Sequence, residues 1–243
     1  MYNMTGTAAL YLVLIILITL AGGGIPLIRS WRRTTVRLFV SFGAGVLLGA
    51  AFLRMIPEAA GMIGPGIGVP LLSGFLFLFV IEKFIMVHAC EAADCHYHTM
   101  GGAALVGLYL HSLIDGVALG AGIVMPEIGL FVFLAVLLHK FPASFSLTSI
   151  LLHENMQRRT IVLIIAGFAL TVPIGSLITI FLFHGVSQPV LGWLIAFSAG
   201  TFLHVAADDL LPEVHSEHDG RFQTLFTFLL GLGLMWAGSH IHA

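Results

Sequence analysis

In an otherwise apolar stretch, the segment HSLIDGVALG places His111 and Asp115 four positions apart. On an α-helix that spacing puts an imidazole and a carboxylate on one face, a turn from each other. A second stretch, HKFPASFSL, carries His139 and Lys140 at similar depth. Two imidazoles and one carboxylate meeting at one level offer the nitrogen and oxygen donors that zinc and related divalent cations take, and a site with one open position can exchange its ion. A simpler use of the same spacing is a buried hydrogen bond between His111 and Asp115 that locks helices together. Pro142 has no backbone N–H for the carbonyl of Leu138, so it kinks its helix and frees an acceptor beside His139.

Further ligand-type residues gather toward one side of the chain's hydrophobic stretches. His204 stands one turn before Asp208, and Asp209 and Glu213 continue an acidic path. Glu82, with Lys83 as a partner, falls at the end of another apolar run and lines the same exit. The loop at 88–100 reads HACEAADCHYH and concentrates His88, Cys90, Cys95, His96 and His98 among acidic neighbours. Soft and borderline donors so close together suit transient metal capture, without the spacing of a structural zinc finger. A cytosolic loop keeps both cysteines reduced, so no disulfide is expected there.

The elements that must carry these residues follow from composition. Of 243 residues, 58% are hydrophobic and 9% are Asp, Glu, Lys or Arg, and the mean hydropathy is +1.04. Soluble domains carry about 25% charged residues, so a water-soluble fold is excluded. The net charge of -2, with no run of Lys and Arg, excludes a nucleic-acid surface. A spanning helix needs ~20 apolar residues to cross ~30 Å of hydrocarbon. The chain divides into eight such stretches, at 8–29, 36–58, 68–88, 102–124, 127–152, 160–183, 190–211 and 222–241. The expected fold is an all-α integral membrane protein, one transmembrane domain over residues 1–243. The first helix is read as retained, because MYNMTGTAAL lacks the positive flank of a secretory signal.

Positive residues set the orientation. Arg29, Arg32, Arg33 and Arg37, then Arg158 and Arg159, then Arg221 occupy the odd-numbered loops, which places those loops in the cytosol and both termini outside. Arg54 lies near an outer loop, where it can reach the interface or pair with Glu58. An internal repeat is also visible. FGAGVLLGAAFLRMIPE, from Phe42, and FSAGTFLHVAADDLLPE, from Phe197, match at Phe, Ala, Gly, Leu, Ala, Pro and Glu with a constant offset of 155. The two helices run oppositely through the membrane, so helices 1–3 and 6–8 form an inverted repeat around helices 4 and 5, a common construction in secondary carriers. Two glycine-bearing helix interfaces of unrelated origin would give a weaker version of the same pattern.

HxxxDG at His111, HKxPA at His139 and AGTFLxVAxxxLPEV from Ala199 together resemble the ZIP family of metal transporters, nearest the subfamily of the ninth human ZIP protein, which also has Lys after the second His. The likeness extends from IPL at Ile25 to HIH near the carboxyl end. It implies eight helices, outward termini, homodimers, and passage of a divalent metal toward the cytosol, zinc first, with iron, manganese and cadmium as further candidates. It also implies a transport site at His111, Asp115 and His139, exit residues at Asp208 and Asp209, and no cofactor beyond the transported ion. The sequence departs from the family at Ser112, where many relatives have Asn, at Ala143, where they have a carboxylate, and at LTVPIG in the sixth helix. Lys140 stands where two-metal relatives have a ligand, so it is expected to supply a fixed ammonium in place of a second cation, or to pair with Asp115 and compete with the metal. The expected partners are the ion, membrane lipid and a second copy.

Two other classes were weighed on residues alone. HENMQ at His153 begins like a zinc-protease motif but has Gln157 at the required second His, and no GxSxG is present. A metal-responsive receptor that binds without transport is the alternative to a carrier. The carrier reading implies alternating access around the central site.

Overall fold

The computed structural model describes residues 4–28, 31–89, 99–124, 126–153, 155–182, 187–210 and 220–240. Among these residues every regular element is helical: α1 (Met4–Ile28), α2 (Arg33–Ala50), α3 (Ile56–Ile63), α4 (Gly68–Ala89), α5 (Thr99–Val124), α6 (Pro126–His153), α7 (Arg158–Leu182), α8 (Gln188–His204) and α9 (Arg221–His240). Seven stretches are long and apolar enough to cross a membrane. One of them runs 51 residues, from Thr34 to Phe84, and covers both the second and third expected spans. The backbone turns within it at Gly64, whose φ of 63° is open to glycine and strained for other residues.

The outer surface is apolar, and a hydrophobic core encloses a set of buried polar side chains. Leu163, Phe181, Phe222 and Phe226 are among the large side chains left exposed, as a lipid-facing surface requires. Hydroxyls, imidazoles and a few charges are buried. Several buried hydroxyls bond back into their own helices: Thr19 to the Ile15 carbonyl at 2.6 Å, Thr179 to Gly175 at 3.0 Å and Thr201 to Ser198 at 2.8 Å.

Four helix pairs dominate the packing: α2 with α9, α4 with α8, α1 with α6, and α5 with α7. Glycines set how closely several of these pairs approach. A Cβ on Gly45 would collide with the Phe228 carbonyl, and one on Gly231 with the Phe42 carbonyl, so α2 and α9 touch backbone to backbone. The same arrangement recurs between α8 and α4, where Gly200 meets the Leu71 carbonyl and Gly74 the Phe197 carbonyl. Phe42 and Gly45 are the residues that the 155-position offset aligns with Phe197 and Gly200.

The two helices share a second feature. α2 continues into a π-helical turn at Ala51–Met55, and α8 into one at Val205–Leu210, at matching places in the offset. In each sequence a proline follows, Pro57 and Pro212. Pro57 cannot donate to the carbonyl four residues back, and its ring crowds that carbonyl, so the helix widens ahead of it.

Candidate metal centre

Helix α5 supplies His111, Ser112 and Asp115, and α6 supplies His139 and Lys140. The two helices join at a tight reversal in which Gly122 and Gly129 lie in close contact, a Cβ on Gly122 falling 3.1 Å from the Gly129 Cα. On the other flank of α5, a Cβ on Gly116 would collide with the Val172 carbonyl. Glycine beside Asp115 therefore lets α7 close against the site.

All four ionisable residues are buried: His111 is 2% exposed, Asp115 0%, His139 2% and Lys140 1%. One ligand atom from each of His111, Asp115 and His139 can be chosen so that the three lie within 4.8 Å of one another. His111 Nε2 is 3.4 Å from Asp115 Oδ1, and His139 Nε2 is 3.2 Å from Asp115 Oδ2. The ring centroids of the two histidines are 5.6 Å apart. Phe202, from α8, closes one side by setting its ring at 5.5 Å from each imidazole.

The tautomer of His139 follows from its second contact. Nδ1 lies 2.7 Å from the Ala135 carbonyl, which can only accept, so Nδ1 carries a proton, and Nε2, turned toward Asp115 Oδ2, is the nitrogen that can offer a lone pair to a cation. His111 is different. Neither of its ring nitrogens has a hydrogen-bond partner among the described residues, and neither does Asp115 Oδ1. Buried polar atoms are nearly always satisfied, and His111 Nε2 and Asp115 Oδ1, 3.4 Å apart and without a hydrogen bond beside His139 Nε2, could hold a cation. His111 Nε2 and Asp115 Oδ1 are in contact but not aligned for a hydrogen bond.

Lys140 is paired. Its Nζ donates to Asp115 Oδ2 at 3.1 Å and to Ser112 Oγ at 2.5 Å, and lies 4.4 Å from the centre of the Phe168 ring. Ser112 and Thr171 are hydrogen-bonded to each other, and Thr171 Oγ1 donates to the Phe168 carbonyl at 2.7 Å.

Away from this cluster, Glu82 and His204 form their own pair: Glu82 Oε2 is 2.7 Å from His204 Nε2. The rings of Phe75 and Phe79 stand edge-on to the imidazole at 5.0 and 6.2 Å. Gly107 leaves the room that Glu82 Oε1 occupies, since a Cβ there would be 2.6 Å from it. Lys83, expected beside Glu82, is exposed and lies over the Phe79 ring at 5.9 Å instead. Glu82 faces inward to α8, and the next residue along the helix must then face out. Arg54 and Glu58 do approach, at 3.9 Å.

Asp208 and Asp209 fall on the π-helical turn after α8, and His88 at the end of α4, with their side chains outside the described residues. Glu213, Cys90, Cys95, His96 and His98 lie wholly outside them. Residues that the sequence did not single out include Phe202, Phe168, Thr171 and the carbonyl of Ala135. Thr171 had a weak signal, as the one hydroxyl in LTVPIG.

The model of the family described as ZIP zinc transporter matches residues 6–104 and 87–237. Zinc transporter ZIP9 of Micropogonias undulatus is 30% identical over an alignment covering 79% of this chain and 80% of that one. Zinc transporter ZIP9-A of Xenopus laevis is 30% identical with the same coverage of each. Zinc transporter ZIP13 of Mus musculus is 26% identical, covering 85% of this chain and 69% of its own.

Proposed function

As a member of the ZIP zinc transporter family, this chain is a multi-pass membrane protein for which we propose passage of a divalent cation, zinc foremost, toward the cytosol through His111, Asp115 and His139. The observation that carries the assignment of these residues is a buried cluster in which one ligand atom from each of the three lies within 4.8 Å of the others, His111 Nε2 and Asp115 Oδ1 having no hydrogen bond. An imidazole-rich, single-carboxylate donor set favours zinc over hard, oxygen-seeking ions such as magnesium or calcium. Lys140 brings one positive charge to the same carboxylate, so the centre takes one ion at a time.

The carrier alternates access by moving one set of helices around α5 and α6. Eight crossings, with α2–α3 and α4 counted separately on either side of Gly64, give an inverted repeat in which α1, α2 and α4 correspond to α7, α8 and α9. The packing supports that correspondence: α1 against α6 mirrors α7 against α5, and α2 against α9 mirrors α8 against α4. The matched glycine contacts and matched π-helical turns support it further. The arginine distribution places both termini on the non-cytosolic side. Glu82 and His204, followed by Asp208 and Asp209, form the inward route, and the 88–100 loop and Glu213 receive the ion there.

The deciding experiment is zinc flux into proteoliposomes. Native protein should carry zinc in a saturable way, and His139→Ala and Asp115→Ala should reduce flux to the level of empty vesicles. Native protein that binds zinc but moves none would end the carrier reading. Variant flux equal to native would end the assignment of the residues.

A further inference from the structure

Lys140 has three N–H donors and no acceptor, and it divides them between the Ser112 hydroxyl and the Asp115 carboxylate. The ammonium fills one lone pair of Ser112 Oγ. The Thr171 proton is committed to the Phe168 carbonyl, so Thr171 Oγ1 can only accept in its bond with Ser112. Ser112 must therefore donate to Thr171 and accept from Lys140. Each hydroxyl in this relay donates once and accepts once, and all three side chains are buried, Ser112 completely.

We infer that Ser112 and Thr171 are positioning residues that berth the Lys140 ammonium beside Asp115, so that an arriving divalent cation can take the carboxylate while the ammonium stays bonded to Ser112 and to the Phe168 face. The inference rests on the reading of His111, Asp115 and His139 as the transport site. A buried ammonium must keep a polar partner. With the berth, giving up Asp115 leaves Lys140 with a hydroxyl and an aromatic face. Without it, Asp115 is the one polar partner the structure gives the ammonium, and Lys140 becomes a standing competitor for the metal's carboxylate ligand.

A hydrogen bond to a charged group contributes enough to shift an equilibrium roughly ten-fold. In zinc flux measurements on proteoliposomes, Ser112→Ala should raise KM for zinc by roughly that factor, and Ser112→Thr, which keeps the hydroxyl, should not. Adding Lys140→Met to Ser112→Ala should bring KM back down, because the competitor is gone. A structural role for Ser112 gives no such reversal. Thr171→Val against Thr171→Ser repeats the comparison from the far end of the relay and carries it alone if Ser112→Ala does not fold. A KM in Ser112→Ala or Thr171→Val within two-fold of native, or a raised KM that Lys140→Met does not lower, overturns the inference while native flux still stands. If instead His139→Ala carries zinc as native does, the transport-site reading has failed, and the berth falls with it.

Discussion

Glu82 and His204 stand 122 positions apart in the chain and meet at 2.7 Å between α4 and α8, both buried. The contact joins two helices whose backbones already touch through Gly74 and Gly200. It brings an acid and a base together where neither has bulk water.

That relationship makes a stability prediction. Removing one member of a buried hydrogen-bonded pair leaves the other without its partner, at a cost of about 1–3 kcal/mol. His204→Ala should therefore melt well below native in detergent, and Glu82→Leu added to it should recover most of the loss. Equal melting of the single and double variants would show that Glu82 does not depend on His204 for its satisfaction.

Lys140→Met should divide affinity from stability. In zinc-free detergent the variant should be less stable than native, because Asp115 loses its ammonium within a buried site. Its zinc affinity should rise, since no fixed cation contends for Oδ2. Zinc at 100 times the dissociation constant stabilises a folded protein by about 2.7 kcal/mol, so added zinc should close much of the melting gap. A variant that melts as native does without zinc, or binds zinc no more tightly, would contradict the pairing.

The glycine contacts predict which small substitutions matter. Gly45→Ala and Gly200→Ala each push a methyl group into a neighbouring backbone carbonyl and should cost about 1–3 kcal/mol. Gly61→Ala and Gly233→Ala meet nothing within 4 Å and should be neutral or slightly stabilising. Thermal melts of the four variants, with zinc flux alongside, would test the contrast. Similar melting of all four would mean that the backbone contacts are not limiting.

Acid on the loading side should slow zinc entry. A proton on Nε2 of His139, or on the coordinating nitrogen of His111, takes the lone pair the ion needs. Initial rates that stay flat from neutral to acid medium would remove both rings from the ligand set.

The helices were largely legible in the sequence, because hydropathy alone marks a spanning segment: the stretches expected at 127–152 and 222–241 are helices over Pro126–His153 and Arg221–His240. His111, Asp115 and His139 were legible because helical spacing and a rare charged residue in an apolar run are local signals. Thr171, Phe168 and Phe202 were not. Each reaches the centre from another helix, and nothing in the neighbouring sequence records which face of α7 or α8 will be turned toward Lys140 or the imidazoles. The π-helical turns were hidden for a related reason, since a proline announces a disturbed helix without saying whether it will bend, break or widen. Lys83 misled as a partner for Glu82 because adjacent positions on a helix point in directions too different to share a contact.

The hydroxyl relay from Lys140 through Ser112 and Thr171 to the Phe168 carbonyl is one-way. Every proton along it points away from position 140, which therefore looks onto a lone pair. An anion placed at 140 would be met by electron density rather than by hydrogen, and would be welcome only if Ser112 turned around and Thr171 surrendered its backbone acceptor. Reaching a two-ion centre from this chain is consequently a concerted change across three helices, not a single exchange of lysine for a carboxylate.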